Sequence, residues 1–139
     1  MGFYFLGGIM SRKVARDWLF KLVFELTFQN NSVNLYEEFL ALEGVTEENK
    51  NFVTTIYSGI AENYASLLEE LNGYLNGYKV ESLFKVDLAI LLIALFEHKY
   101  YTRTDKKIIA NECVELAKKY STDKSHKFIN GVVGSILKD

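Results

Sequence analysis

Apolar residues recur at intervals of three and four along almost the whole chain, and this spacing restricts the fold more than any other sequence feature. After Ser11, the residues Val14, Trp18, Leu22 and Leu26 follow one another at intervals of four. No stretch shows the sustained two-residue alternation that is typical of strands. The chain contains no proline, so Gly, Asn, Ser, Thr and Asp separate its helices. We expect an all-α single domain of six or seven helices joined by short loops.

Residues whose side chains accept hydrogen bonds from backbone N–H groups mark the predicted helix starts. The predicted third helix begins after Thr46 and carries an apolar stripe from Phe52 to Leu71, so we expect one unbroken helix over this stripe. A more apolar helix follows over about residues 81–98, and its apolar run is typical of a buried helix. The N-cap candidates are Ser11, Ser32, Thr46, Asp105 and one of Ser121, Thr122 and Ser125.

Two features indicate a protein of the reducing cytoplasm without a membrane anchor. The single cysteine, Cys113, excludes an internal disulfide, which secreted domains of this size often contain. No apolar run reaches the roughly 18 residues that are needed to span a bilayer. We therefore expect a cytoplasmic location.

The first ten residues, MGFYFLGGIM, are as apolar as a signal peptide but lack its positive start and its cleavage site. Met10 is followed by Ser-Arg-Lys, a natural opening, and Gly7-Gly8 can be encoded by GGAGGN, a ribosome-binding sequence just ahead of the Met10 codon. These features indicate that translation begins at Met10. We expect residues 1–10 to be a non-native or disordered leader and residues 11–139 to form the helical domain. A genuine apolar arm is the alternative, which the DNA sequence can distinguish.

Groups that catalyse reactions or hold metals are few. The two histidines, His98 and His126, are far apart in sequence, and no pair of residues has metal-ligand spacing. Cys113 lies on an apolar stripe and is expected in the core. We expect no catalytic residue, no metal and no cofactor, and we interpret the chain as a binding protein rather than an enzyme.

Charge is distributed unevenly along the chain. Residues 11–21 and residues 118–127 each contain four cations and one acid, whereas residues 37–50 contain five acids and one cation. If the two basic segments meet in the fold, they form a face that suits phosphate groups; otherwise such runs are only solvated surface. The cations of the two segments are Arg12, Lys13, Arg16 and Lys21, and Lys118, Lys119, Lys124 and Lys127.

Phe128 lies at the margin of an apolar helical stripe, because it is rotated by about 100° from Ile129 around the helix. A marginal aromatic residue beside Lys127 suits stacking on an unpaired base next to a phosphate contact. The spacing alone favours a different role, in which Phe128 closes the edge of the core.

Three segments of the chain carry a recognisable pattern: SRKVARDWLFKLVFEL (11–26), LNGYLNGYKVESLFKVDLAILLIALFE (71–97) and ANECVELAKKYSTDKSHKFINGVVGSIL (110–137). In this order, they resemble the basic first helix, the middle and the C-terminal signature of the NusB transcription antitermination family. The resemblance implies two packed three-helix bundles. It also implies binding to boxA-type RNA of ribosomal operons together with the ribosomal protein NusE, which promotes read-through by RNA polymerase.

The resemblance also assigns roles to individual residues. It implies that Asp87 and Phe96 contact the protein partner, although Asp87 can equally cap the helix that it begins. Two alternative functions stay open: an accessory domain of an RNA-modifying system, and a purely protein-interacting helical module. A homodimer stays open too. The RNA contacts that the resemblance implies are Arg12, Lys13, Arg16, Lys124, Lys127 and the stacking residue Phe128.

Overall fold

The computed structural model describes residues 9–28 and 35–139, and helices make up most of both ranges. No strand occurs in these ranges, so the predicted all-α fold is confirmed there. The α-helices within these ranges are α1 (Arg12–Leu26), α2 (Leu35–Leu40), α3 (Glu47–Glu62), α4 (Tyr64–Asn72), α5 (Lys85–Phe96), α6 (Lys106–Tyr120) and α7 (Asp123–Lys138). A 3₁₀ turn at Val80–Ser82 precedes α5, and a π-helical turn at Glu97–Tyr101 follows it.

Helix α5 lies at the centre of the molecule, where it packs against α1, α3, α4, α6 and α7. Its residues from Leu88 to Leu95 are all buried. A helix that meets neighbours on every side has no face for polar residues, which accounts for its uniformly apolar sequence. The burial that the sequence predicts is confirmed.

The helices form two sets of three. Helix α1 packs on α2 and α3, while α5, α6 and α7 pack on one another, and α4 lies against α3 and α5 as an additional helix. Because α5 also contacts α1 and α3, it joins the two sets into one body. This arrangement confirms the expected pair of three-helix bundles.

Four of the predicted N-caps are present, and each side-chain oxygen accepts a backbone N–H. Ser11 accepts from Val14 at 3.2 Å and Thr46 from Asn49 at 3.1 Å. At the other end of the chain, Asp105 caps α6 and Thr122 caps α7. The remaining candidate, Ser32, lies outside the described residues.

The prediction of one unbroken helix from Phe52 to Leu71 is wrong. Helix α3 ends at Glu62 and α4 begins at Tyr64, because Asn63 adopts φ −119° and ψ 26°. Its side-chain amide donates to the carbonyl of Gly59 at 2.9 Å. An asparagine side chain bonded to the nearby backbone competes with continuation of a helix, and apolar spacing does not reveal this.

The helix expected over residues 81–98 is also shorter than predicted. Helix α5 begins only at Lys85, after the 3₁₀ turn, and the helical chain widens at Glu97 into the π-helical turn. Thr102 ends that turn in the left-handed conformation, with φ 60°. The wider turn matters for the candidate interface because it contains Glu97, a buried acid.

Met10, the last residue of the expected leader, packs on the helical domain, and the boundary expected at residue 11 stays a prediction. Its side chain is buried, and its backbone N–H donates to the Gly44 carbonyl at 2.8 Å. Its carbonyl accepts from the Asn49 side chain at 2.9 Å. Residues 1–8 of the expected leader lie outside the described residues, and Ile9 is exposed.

Candidate nucleic-acid interface

The two basic segments of the sequence meet in the fold. The Lys119 ammonium lies 3.2 Å from a carboxylate oxygen of Asp17, and the Tyr120 hydroxyl donates to the same oxygen at 2.6 Å. The Tyr120 ring also stacks on Phe20, with 4.5 Å between ring centroids. These contacts join the end of α6 to the middle of α1. The two basic segments therefore lie side by side, as the sequence required for a phosphate-binding face.

A groove of about 540 Å³ runs between α1 and α6. Ion pairs with N–O distances of 3.9 Å cross it, one between Lys13 and Glu115 and one between Arg16 and Glu112. The Lys13 side chain is 75% exposed, so its pair with Glu115 is worth at most about 1 kcal/mol. A phosphate group that enters the groove can therefore displace Glu115 from Lys13 at little cost.

Arg12 is held in place but remains accessible. Its Nε donates to the Asn49 side-chain oxygen at 2.7 Å, and its guanidinium carbon lies 4.0 Å from the centre of the Phe52 ring. The side chain is still 37% exposed. Stacking on an aromatic face orients the guanidinium plane, so Arg12 presents a fixed cation to solvent.

Arg16 lies in a different environment from the one expected. The resemblance implies an RNA contact, but Arg16 is buried and forms two hydrogen bonds to Glu97, one of them at 2.8 Å. Burial by itself lowers the pKa of Arg16. The hydrogen bond to Glu97 and the charge of Glu97 outweigh this effect, so the pKa of Arg16 lies above its ordinary value. The implied RNA contact of Arg16 stays a prediction, and in this structure an acid far away in the sequence holds the side chain inward.

Phe128 is half-buried and forms a wall with Tyr78. The two rings meet edge to face, with 5.4 Å between their centroids. One side of this wall is the Asp87 cleft, about 500 Å³ in volume, lined by Tyr78, Ser82, Leu83, Phe84, Asp87, Thr122, Lys124, Ser125 and Phe128. The other side is the Gly131 cleft, about 380 Å³ in volume, lined by Gly73, Tyr74, Leu75, Asn76, Tyr78, Lys127, Phe128, Gly131, Val132 and Ser135.

Lys124 and Lys127 are exposed, and each lies in one of the two clefts. Neither forms an ion pair within the described ranges. Both ammonium groups are therefore available to an anionic ligand beside the aromatic wall.

Asp87 is buried in the floor of the Asp87 cleft, where its carboxylate accepts a hydrogen bond from the Ser121 hydroxyl at 2.6 Å. The alternative that Asp87 caps α5 is wrong, because Phe84 occupies the N-cap position and no side chain caps this helix. The fold thus brings Asp87, expected to contact a protein, into the same cleft as Phe128, expected to stack on RNA.

Phe96 does not join that cleft. Its ring covers Gly59 of α3 so closely that a Cβ added at Gly59 would lie 2.1 Å from the Phe96 Cζ. The ring also packs on Tyr100, at 5.5 Å between centroids. The structure therefore gives Phe96 a role in packing α5 on α3, and its contact with a partner stays a prediction.

Three exposed residues near the candidate interface were missed by the sequence reasoning. Tyr78 and Phe84 are 61% and 68% exposed, and Arg103 shares a cleft of about 510 Å³ with Arg12. Arg103 stands outside both basic segments, so a count of local charge does not find it. Tyr78 and Phe84 lie where the apolar spacing is interrupted, and an aromatic residue at such a break is the signal that could have found them.

The described residues contain no group of three or more His, Cys, Asp or Glu that could hold a metal ion. Cys113 is buried, as expected, and burial raises the pKa of its thiol to about 12. None of the helices described is both long enough and apolar enough to cross a membrane.

Comparison with known proteins identifies the family. The model of the NusB family matches residues 12–138. The chain belongs to the NusB family. A transcription antitermination protein NusB of Clostridium botulinum (strain Hall) is 34% identical over 145 residues, covering 92% of this chain and all of the relative. One of Campylobacter jejuni (strain RM1221) is 39% identical over 115 residues, with 83% of this chain and 85% of the relative covered.

A solved structure supports the same assignment. T. maritima NusB superposes on this chain with a TM-score of 0.82 at 26% sequence identity, covering 94% of this chain and 93% of the other. The resemblance to NusB that the three sequence segments indicated is therefore confirmed, together with the NusB-like all-α fold.

Proposed function

We propose that this NusB family member is an RNA-binding transcription antitermination factor, which binds boxA-type single-stranded RNA together with the ribosomal protein NusE. One observation carries the proposal: the contact of Lys119 with Asp17, at 3.2 Å, joins the two basic segments into one surface. The names of the relatives support the antitermination role. This protein would act by binding, in the bacterial cytoplasm where nascent transcripts form, and not by catalysis.

The basic part of the surface would bind the phosphates. Arg12 and Lys13 are its accessible cations on α1, and Lys118 and Lys119 lie across the groove on α6. Each phosphate neutralised by such a cation releases a counterion, which makes the affinity dependent on salt. Arg16 would act indirectly here, because its pair with Glu97 anchors the turn of α1 that carries Arg12 and Lys13.

The aromatic part of the surface would bind an unpaired base. Phe128 offers a ring at the edge of the core, and Lys124 and Lys127 provide unpaired ammonium groups beside it. A base stacked on an aromatic side chain contributes about 1–3 kcal/mol without requiring a particular sequence. This combination of a ring and two cations favours single-stranded RNA over a duplex, whose bases are already stacked.

The protein partner would bind beside the RNA. Asp87 lies in the cleft of Phe128, and Lys85, two residues earlier, lies 5.3 Å from the ring centre of Phe28, which is 51% exposed. Exposed aromatic residues next to charged ones are common in protein interfaces. We therefore place the partner near Asp87 and Phe28, and we retain Phe96 as a prediction that awaits its own test.

A titration of the purified protein with boxA-type single-stranded RNA, with and without NusE, tests the proposal. We expect RNA binding that strengthens when NusE is present, and weaker binding of a duplex of the same length. Asp87→Asn should weaken the gain in RNA affinity that NusE produces. A protein that binds NusE but no RNA would instead be a purely protein-interacting module, and the proposal would fail.

A further inference from the structure

The wall formed by Tyr78 and Phe128 separates two clefts rather than bordering one. Both rings line the Asp87 cleft and the Gly131 cleft, and each cleft contains one unpaired lysine, Lys124 or Lys127. A single stacked base would occupy only one of the two clefts. The repeated combination of an aromatic wall and a cation is what two successive nucleotides need.

Tyr78 is held at the wall by a tight turn. Asn76 and Gly77 both have positive φ, 55° and 98°, and the Tyr78 N–H donates to the Leu75 carbonyl at 3.1 Å. Asn and Gly are the residues that adopt this left-handed conformation most readily. The turn leaves the Tyr78 side chain 61% exposed, although an aromatic ring of this size is usually buried.

Gly131 keeps the second cleft open. It lies inside α7, where glycine destabilises a helix by about 1 kcal/mol relative to alanine. A Cβ added at Gly131 would have no atom within 4 Å, so packing within the protein does not require glycine here. Gly134, on the same helix, is equally unobstructed but does not line the cleft.

We propose that the Gly131 cleft binds a second unpaired nucleotide of the RNA, next to the nucleotide whose base stacks on Phe128 in the Asp87 cleft. Its base packs against Tyr78 and Phe128, and Lys127 contacts its phosphate. The inference rests on the proposed RNA-binding function and extends it to a second nucleotide site. Because stacking accepts any base, the Gly131 cleft adds affinity with little sequence preference.

Substitutions at the two open glycines of α7 test this inference. Gly131→Leu fills the Gly131 cleft, whereas Gly134→Leu adds the same side chain to the same helix outside it. We expect both variants to melt at or above the wild-type temperature, since leucine favours a helix over glycine. In titrations with boxA-type single-stranded RNA, Gly131→Leu should weaken binding by about ten-fold and Gly134→Leu by less than about two-fold. Equal effects of the two substitutions would overturn the inference.

A second pair of variants tests the aromatic wall without changing α7. Tyr78→Ala should weaken RNA binding by about ten-fold, while Tyr78→Phe should retain it because the ring remains. Tyr100→Ala removes a tyrosine that is 53% exposed and lines neither cleft, and it should bind RNA like the wild type. If the wild type binds RNA and Phe128→Ala weakens that binding, but Tyr78→Ala does not, the second site is refuted while the proposed function stands. A wild type that binds no RNA refutes both.

Discussion

Arg12 and Arg16 lie one turn apart on α1 and both stack on Phe52, but they differ in how far their side chains are buried. Their guanidinium carbons lie 4.0 Å and 4.9 Å from the centre of the Phe52 ring. Arg12 keeps 37% of its side chain exposed, whereas 6% of the Arg16 side chain is exposed. At the scale of single residues, accessibility therefore separates an arginine that a ligand can reach, Arg12, from one that is enclosed in the fold, Arg16.

Removal of the accessible cations should change the salt dependence of RNA binding. In the double variant Arg12→Ala with Lys13→Ala, two phosphate contacts are lost, and the log–log slope of affinity against salt should fall by about 1.4. The melting temperature should fall only modestly, because Lys13 is exposed and Arg12 loses one hydrogen bond to Asn49 and its contact with Phe52. Titrations at several salt concentrations measure the slope, and Lys50→Ala with Lys138→Ala is the matched control. An unchanged slope in the Arg12 and Lys13 variant would remove these residues from the interface.

Removal of Arg16 should instead destabilise the protein. Arg16→Ala leaves Glu97 buried without its partner, and loss of one member of a buried ion pair typically costs about 3–5 kcal/mol. Urea unfolding measures this loss. Arg16→Met combined with Glu97→Leu removes both charges and should recover much of the stability. A stable Arg16→Ala protein whose RNA binding is selectively weakened would show that Arg16 contacts the ligand after all.

Phe128 distinguishes base stacking from core packing. Phe128→Ala should lose less than about 1.5 kcal/mol of stability, because the ring is half-buried, and should weaken RNA binding by about ten-fold. Phe128→Tyr should bind nearly as well as the wild type. Truncation of a core phenylalanine costs about 3–5 kcal/mol. A loss of that size with normal RNA affinity would assign Phe128 to the core.

At the scale of helices, α3 and α5 approach each other closely at Gly59. Gly59 of α3 accommodates the Phe96 ring because glycine has no Cβ, which would otherwise lie 2.1 Å from the Phe96 Cζ. The π-helical turn directly after Phe96 then carries Glu97 to Arg16 of α1. These contacts fix α5 to the other bundle from two adjacent positions.

Gly59→Ala should destabilise the protein by about 1–3 kcal/mol, since the added methyl group forces the Phe96 ring to move. Gly134→Ala is the control, because its methyl group meets no atom within 4 Å and should stabilise α7 by up to about 1 kcal/mol. Urea melts of the two variants measure the difference. Equal stabilities would show that Phe96 moves away freely, and would make its ring available to a partner.

At the scale of the whole molecule, α5 packs against both bundles, so we expect them to unfold as one cooperative unit, and Cys113 can report that unfolding. The thiol is buried on α6, and burial raises its pKa to about 12 from the ordinary 9.0. The thiol of the unfolded chain ionises near the ordinary value while the folded one stays protonated, so this group lowers stability as pH rises above about 9.

A thiol reagent should therefore label Cys113 only when the protein unfolds globally. The labelled fraction in increasing urea should follow the loss of far-ultraviolet circular dichroism, with the same midpoint. Labelling at urea concentrations where the helices are intact would show that α6 opens separately from the rest of the molecule.

Local sequence determined the helices and most of their starts. Ser11, Thr46 and Asp105 cap the helices that they were predicted to cap, because an N-cap bond forms within three residues of the chain. The break at Asn63 was missed because it depends on a hydrogen bond from the Asn63 side-chain amide to the backbone of the preceding turn. Such a hydrogen bond leaves no trace in the spacing of apolar residues. The identity of the family was also readable from the sequence, since its motifs are continuous.

Only the tertiary structure decided which residues of the candidate interface lie together. Glu97 lies 81 positions from Arg16 in the sequence, yet it accepts hydrogen bonds from that arginine in the core. Asp17 accepts a hydrogen bond from Lys119, which is 102 positions away. The Tyr78 turn meets Phe128 to form the wall between the clefts, and Asp87 joins one of them. Helical periodicity is a local property of the chain, whereas the exposure of a charge or a ring depends on which distant element packs against it.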